Sequence, residues 1–204
     1  VGVQARLHWH SAEHGVVPPA EFMPLAERLG LMPELGAWCL RQACQQVLAW
    51  QQAGLRRLRV SVNISPLQWQ QAELAQQVQR VLIDTGVDPA SLAIELSEDS
   101  LMADLARSRQ TLREFKALGV EIALKNFGTG ASSLGALHAL PVDVLNVDQS
   151  FVHDVTASAA SVSVTRAIIT MAHGMQLRVL AEGVLTEGQL GLLAAKGCDL
   201  VQGD

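Results

Sequence analysis

Seven short apolar runs recur along the 204-residue chain, and a longer segment of mixed polarity separates each from the next. Runs of this length that end in turn-forming residues are typical of strands. The pattern predicts strands at residues 3–9, 58–64, 92–96, 120–124, 142–147, 178–181 and 200–202. Residues 142–145 are nearly all apolar, which favours a strand that is covered on both faces.

The segments between these runs have the spacing of helices. Apolar positions recur at helical intervals in residues 33–53 (Leu35, Trp38, Cys39 and Val47) and in residues 105–118 (Leu105, Leu112, Phe115 and Leu118). Strands that alternate with helices predict a mostly parallel sheet and the α/β fold class. The length favours a single domain over residues 1–204.

Polar side chains follow six of the predicted strands, at the point where each apolar run ends. They are Asn63, Glu95, Lys125 with Asn126, Asp148, Glu182 and Gln202. In a βα barrel these strand ends meet at one mouth, where active sites of that fold lie. Each residue alone has a second interpretation as a helix N-cap, and open doubly wound sheets also bind ligands at strand ends. The pattern therefore predicts a ligand site at the strand ends but does not distinguish a closed barrel from an open sheet.

Charge and cysteine content narrow the class of partner. The net charge is -5 without a long run of Lys or Arg, so binding to DNA, RNA or an anionic membrane surface is not expected. Cys39, Cys44 and Cys198 match no zinc spacing and are expected to be reduced thiols of a cytoplasmic protein. No apolar stretch is long enough to span a membrane, although a longer parent protein could be membrane-tethered.

Several motifs occur together in one order. They are VPPAEFMPLAE at 17–27, VNIS at 62–65, ELSE at 95–98, NFGTGASSL at 126–134, VDQSFV at 147–152, AEGV at 181–184 and QG at 202–203. On these motifs the chain resembles the EAL family of cyclic di-GMP phosphodiesterases over nearly its whole length. The resemblance implies a TIM-like (β/α)8 barrel with one antiparallel strand. Because only seven strands are predicted, the chain is expected to lack the family's first strand and last helix.

Five positions depart from the family's catalytic motifs. Gln4 stands where the resemblance implies the metal-binding glutamate of the Glu-Ala-Leu signature. Lys125 and Asn126 replace two adjacent aspartates, and Asn146 replaces a lysine that positions the attacking water. Leu185 replaces the second glutamate of the family's Glu-Gly-Val-Glu.

Other positions match the family. The resemblance implies metal ligands at Asn63, Glu95 and Glu182, a loop-bracing role for Glu98, a strand aspartate at Asp148 and a glutamine at Gln202. The loop after Phe127 is implied to connect the site to a dimer interface, so a homodimer is expected.

A lysine at position 125 changes the expected metal chemistry. Two-metal hydrolases hold their ions roughly 3.5 to 4 Å apart with a bridging carboxylate. An ammonium group there would repel a metal ion and can pair with Glu95 and Glu182. Lys125 is therefore expected to substitute for a cation, or else to extend into solvent. Both alternatives predict an inactive domain that is not an enzyme, without bound magnesium or manganese.

Binding of the nucleotide depends on a second set of residues. Alternate residues of a strand share a face, so Gln4, Arg6 and His8 are expected to point together. The resemblance implies a phosphate-binding arginine at the position of His8, which a neutral imidazole does not replace. Arg6 could restore the cationic contact, or lie at the rim without a ligand. His8, His10 and His14 lack a known zinc spacing, so a zinc site is not expected.

The sequence predicts a non-catalytic cyclic di-GMP receptor. Its predicted nucleotide-binding residues are Gln4, Arg6, His8, Asn63, Glu95, Asp148, Glu182 and Gln202. The first alternative is a scaffold that binds a protein effector or dimerises without the nucleotide. A residual metal-dependent phosphodiesterase is a further alternative.

Overall fold

The computed structural model describes residues 1–55, 57–127 and 134–203. The chain divides into two compact units, Val1–Glu95 with Glu114–Glu121 and Leu96–Arg113 with Ile122–Asp204. The assignment of residues 1–204 to a single domain stays a prediction. Among the described residues, no helix is both long and apolar enough to cross a bilayer.

The strands of the first unit place polar residues at one sheet edge. They are β1 (Gly2–Ala5), β2 (Trp9–Ser11), β3 (Gly15–Val17), β4 (Arg59–Asn63) and β5 (Leu92–Ser97), the last of which runs past the boundary at residue 95. Strands β1, β4 and β5 are parallel neighbours in that order. Asn63 and Glu95 are register partners near the carboxyl ends of β4 and β5. Asn63 and Glu95, which are far apart in the sequence, are therefore neighbours in the sheet.

The predicted strand at residues 3–9 is wrong in its extent. Strand β1 ends at Ala5, and Trp9 begins an antiparallel hairpin in which it pairs with Val17. Apolar periodicity continues through both strands, so it does not reveal the change of pairing partner. The turn at residues 12–14 is closed by Ser11 Oγ, which accepts the His14 N–H at 3.2 Å. Gly15 follows the turn with a φ of 68°, a left-handed conformation that glycine adopts without steric cost.

Four helices belong wholly to the first unit. They are α1 (Pro19–Arg28), α2 (Met32–Gln52), α3 (Pro66–Trp69) and α4 (Leu74–Thr85). The predicted helix at residues 33–53 is confirmed as α2. Ser65 caps α3 in a capping box with Gln68. A Cβ at Gly36 of α2 would collide with the Gln68 side chain, so glycine lets the two helices approach.

The second unit repeats the strand–helix order. Its elements are α5 (Glu98–Met102), α6 (Leu105–Leu118), β6 (Glu121–Phe127), α7 (Leu134–His138), β7 (Val144–Val147), α8 (Gln149–His153), α9 (Ala159–Gly174), β8 (Arg178–Glu182), α10 (Glu187–Ala195) and β9 (Leu200–Gln202). The unit boundaries fall within α6 and at the start of β6. Strands β6, β7, β8 and β9 are parallel neighbours in that order.

All four residues of β7 are buried, which confirms that this strand is covered on both faces. The one polar residue among them is Asn146, with 0% exposure. Each of the seven predicted strands has a counterpart in the structure, and α6 coincides with the predicted helix at 105–118. The predicted α/β class with parallel strands is confirmed.

Candidate functional site

The first unit contains a line of hydrogen bonds at its strand ends. Gln4 Nε2 donates to Glu95 Oε2 at 2.6 Å, and Arg6 Nε donates to Gln4 Oε1 at 3.1 Å. Glu95 is 3% exposed, whereas Arg6 is exposed. The amide of Gln4 therefore connects a buried carboxylate to an exposed guanidinium.

Arg6 and Gln4 lie on the same side of the chain, as the alternation predicted. Arg6 follows the end of β1, so its orientation depends on the bond to Gln4 as well as on strand geometry. Gln4, Arg6 and His8 line a cavity of about 470 Å³ together with Trp38 and Trp50. The structure therefore places all three predicted residues beside one cavity of the first unit.

The second unit centres on Glu182. Lys125 Nζ lies 3.3 Å from Glu182 Oε1, and Asn146 Nδ2 donates to the same oxygen at 2.8 Å. The side chains of Lys125 and Glu182 are 19% and 18% exposed. The structure thus brings together two residues that differ from the family and one that matches it. The expected ion pair between Lys125 and Glu182 is present.

A bulge in β6 positions Lys125. Leu124 pairs with Leu145 and Phe127 with Val147, so two residues of β6, Lys125 and Asn126, stand opposite Asn146. Asn126 has a φ of 56°, and asparagine is among the few non-glycine residues that tolerate this left-handed conformation. Bulges change the direction of side chains next to them. This irregularity gives Lys125 its place beside Glu182, and the apolar pattern of β6 does not reveal it.

Other predicted residues occupy strand ends of the second unit. Asp148 caps α8, where its Oδ1 accepts the Ser150 N–H at 2.9 Å. Gln202 is the register partner of Glu182. Leu185 is 65% exposed. Asp148 therefore serves as a helix N-cap, the second interpretation that the sequence left open.

Glu98 is buried in the first turn of α5, with 6% exposure. The loop that it is implied to brace spans residues 128–133, which lie outside the described residues. Its proposed connection to a dimer interface stays a prediction.

The thiols are shielded from ionisation. Desolvation by burial raises the pKa of Cys44 to about 11 and also raises the pKa values of Cys39 and Cys198. All three cysteines are free.

Asp199 loses hydration, which raises its pKa, but hydrogen bonds from His173 and the Val179 N–H outweigh this, and its pKa is lowered overall.

Parallel strands with helices between them, and polar side chains at the strand ends, define the class of α/β proteins that bind ligands at carboxyl strand ends. The EAL domain family matches residues 1–204, so the chain belongs to the EAL family.

Two relatives come from Pseudomonas aeruginosa. The bifunctional diguanylate cyclase/cyclic di-GMP phosphodiesterase MucR is 36% identical over 203 residues, covering 100% of this chain and 30% of MucR. The cyclic di-GMP phosphodiesterase NbdA is 38% identical over 201 residues, covering 98% of this chain and 26% of NbdA. The chain thus spans less than a third of the length of these relatives.

A solved structure described as the PaMucR phosphodiesterase in complex with c-di-GMP has the same fold. Its TM-score is 0.93 at 35% identity, covering 98% of this chain and 81% of that one. The predicted TIM-like barrel class of the EAL type is therefore confirmed.

These relatives correct two predictions. The expectation that the domain is not an enzyme is wrong, because relatives that match almost all of the chain are named as phosphodiesterases. The expectation that magnesium or manganese does not bind is also wrong, because EAL phosphodiesterases depend on these metals. Replacement of these ligands does not exclude a metal ion. Hard cations accept amide oxygens as well as carboxylates, and several such donors are present.

The donors present fit a hard divalent cation. Magnesium typically takes one or two protein carboxylates and completes its shell with water and substrate phosphates. The first unit offers Glu95 beside Asn63, and the second offers Glu182 beside Asn146. Asn146 Oδ1 is buried without a hydrogen-bond partner among the described residues, so it is an available oxygen ligand. Among those residues, no group of three or more His, Cys, Asp or Glu side chains forms a metal cluster.

Proposed function

We propose that this chain binds cyclic di-GMP and acts as a cyclic di-GMP signalling domain. The observation that carries the proposal is the line from Arg6 through Gln4 to Glu95. A guanidinium recognises phosphate oxygens with charge-assisted hydrogen bonds. Gln4 orients Arg6 by accepting its Nε–H, so that the exposed arginine is directed before the ligand arrives.

The remaining contacts follow from the chemistry of the nucleotide. In the first unit, Asn63, Glu95 and His8 provide polar groups near Gln4 and Arg6. In the second unit, Asp148, Glu182 and Gln202 provide carboxylate and amide oxygens. Guanine bases present N–H donors that such oxygens accept. With Gln4 and Arg6, these are the eight residues that the sequence predicts to bind the nucleotide.

A second candidate function is metal-assisted hydrolysis of the phosphodiester. It is favoured by the 36% and 38% identity to proteins named as cyclic di-GMP phosphodiesterases. A divalent cation held by Glu95 or Glu182 would supply charge stabilisation at the phosphate. Binding and hydrolysis are separable, because binding needs no metal-activated water.

The test is calorimetric titration of cyclic di-GMP into the wild type, Arg6→Ala and Arg80→Ala, with and without magnesium or manganese. Arg80 is an exposed arginine of α4 and serves as the matched control. A lost charge-assisted hydrogen bond corresponds to about 1.5–3 kcal/mol, so Arg6→Ala should weaken binding by roughly tenfold to a hundredfold. Chromatography of the same mixtures measures conversion to the linear dinucleotide.

Equal affinities of the wild type and Arg6→Ala would contradict the role of Arg6. No heat from a folded wild-type protein at high ligand concentration would contradict nucleotide binding altogether. In that case the scaffold function becomes the one to pursue.

A homodimer or a protein effector remains part of the proposal, as does a cytoplasmic location. Leu185 and Leu190 are 65% and 44% exposed, and a protein contact that removed these side chains from water would contribute favourable free energy. Light scattering coupled to chromatography, with Leu190→Gln as the variant, measures whether this surface contributes to dimerisation. A mass equal to one chain at high concentration would argue against the homodimer.

A further inference from the structure

Glu182 receives two donors on one oxygen. The Lys125 ammonium lies 3.3 Å from Oε1 and the Asn146 amide donates to the same atom at 2.8 Å. Neither Lys125 nor Glu182 has more than a fifth of its side chain exposed. The attraction between them is therefore less screened than that of a surface ion pair.

The backbone fixes this arrangement on both sides. Lys125 belongs to the bulge of β6, and Asn146 belongs to the fully buried strand β7. Asn146 is 0% exposed, so its amide cannot turn away into water. Glu182 Oε1 is consequently held where the Lys125 ammonium meets it.

A buried acceptor beside the ion pair remains unsatisfied. Asn146 Oδ1 has no hydrogen-bond partner among the described residues. Buried polar atoms are nearly always paired, and an exception calls for a ligand or an ordered water. A carbonyl oxygen next to a carboxylate is a donor set that suits a hard cation.

We propose that the Lys125 ammonium and a divalent cation compete for the Glu182 carboxylate, so that Lys125 sets the metal affinity of this chain. A cation bound to the oxygen that the ammonium contacts would place two positive charges close together at a partly buried site, where they repel each other strongly. A cation that binds Glu182 Oε1 therefore displaces the ammonium, and Asn146 keeps the carboxylate in place during the exchange. Asn146 Oδ1 then serves as an oxygen ligand of the incoming cation.

The test is calorimetric titration of Mn²⁺ in the absence of nucleotide. Lys125→Met removes the charge and keeps an apolar stem of similar reach, and it should tighten Mn²⁺ binding by at least about tenfold. Lys125→Arg keeps the charge and should leave the affinity close to that of the wild type. Lys196→Met removes a lysine elsewhere in the second unit and is the matched control.

Lys125→Met with the Mn²⁺ affinity of the wild type overturns the proposal, and so does an absence of binding in both proteins. Binding that is detectable in Lys125→Met alone supports it. Because no nucleotide is present, the result does not depend on whether cyclic di-GMP binds.

A second measurement observes Lys125 in the wild-type chain and needs a variant only to assign its signal. The chain has three lysines, at positions 116, 125 and 196, and reductive dimethylation with ¹³C labels each while it keeps the positive charge. Addition of Mg²⁺ should shift the Lys125 methyl signal to the position of a solvated lysine, with the other two unchanged. Lys125→Arg assigns the signal. A Lys125 signal that does not move while Mg²⁺ binds contradicts displacement.

Discussion

The two units treat a carboxylate at a strand end in different ways. In the first, Glu95 is 3% exposed and accepts from the neutral amide of Gln4, with the cationic Arg6 one bond further away. In the second, the side chain of Glu182 is 18% exposed and meets the Lys125 ammonium directly. In the first unit an amide lies between the cation and the carboxylate, whereas in the second the cation contacts the carboxylate directly.

This difference separates two roles for a cation. Arg6 is exposed and is oriented by Gln4, so it can recognise a phosphate without leaving the residue that positions it. Lys125 neutralises Glu182 and has to give up that contact for another cation to bind there. The first arrangement is suited to ligand recognition, and the second to exchange of one cation for another.

The largest expected effect comes from adding one negative charge to each unit in turn. Asn146→Asp buries a second carboxylate beside Glu182, and the Lys125 ammonium then has to neutralise both. The free energy of unfolding should therefore fall by about 3–5 kcal/mol. Gln4→Glu adds the same charge beside Glu95, where Arg6 is at hand, and should cost about 1 kcal/mol. Urea denaturation followed by circular dichroism measures both.

Addition of Mn²⁺ should recover part of the loss in both variants, because the cation offsets the added charge. Asn146→Leu is the control that removes the amide without adding charge. Equal losses in the two charged variants would show that burial and the nearby cation do not distinguish the units.

A smaller effect is expected from the turn that ends β8. Gly183 follows Glu182 with a φ of 74°, and a Cβ there would lie 2.8 Å from the Gln149 Cβ. Gly183→Ala should lower the free energy of unfolding by about 2 kcal/mol, because it adds a steric collision to a strained conformation. Thermal unfolding measures the loss.

Gly30 provides a matched position. Its φ is 70°, but a Cβ there would meet nothing within 4 Å, so Gly30→Ala should cost about 1 kcal/mol from backbone strain alone. If Gly30→Ala lowers the free energy of unfolding as much as Gly183→Ala does, the collision with Gln149 does not contribute to the loss.

The smallest effect concerns the buried thiol of the first unit. The pKa of Cys44 is raised to about 11 from an ordinary value of 9.0, so the unfolded chain releases this proton at lower pH than the folded chain. Above pH 9 the folded state binds more protons, and the free energy of unfolding should fall as pH rises from 9 to about 11. Urea denaturation at these pH values, with Cys44→Ala for comparison, measures the change.

Alkylation provides an independent check. Iodoacetamide reacts with the thiolate, so Cys44 should be labelled at pH 8 far more slowly in the folded protein than in urea. Equal labelling rates in the two states would contradict a shielded thiol.

The apolar pattern of the chain is sufficient to predict where the main elements lie and which residues end the strands. Periodicity predicted α2 and α6 because a buried helical face needs apolar residues at fixed intervals. The nearly apolar run at residues 142–147 also predicted a strand covered on both faces, which is β7. The motifs indicate the family, and the ends of the apolar runs predict Asn63, Glu95 and Glu182 as polar residues at strand ends.

The contacts between those residues depend on the packed fold. Strand β1 ends at Ala5, and Trp9 pairs with Val17 in a separate hairpin. The apolar alternation does not reveal this change, because it does not specify which strand is the pairing partner. The bulge that places Lys125 beside Glu182 is an irregularity in the register between β6 and β7, and the burial of Asn146 depends on the segments that cover β7. The Gln4 bond to Glu95 joins residues 91 positions apart. Local propensity cannot encode such contacts, because they depend on which chain segments the packed fold brings within hydrogen-bonding distance.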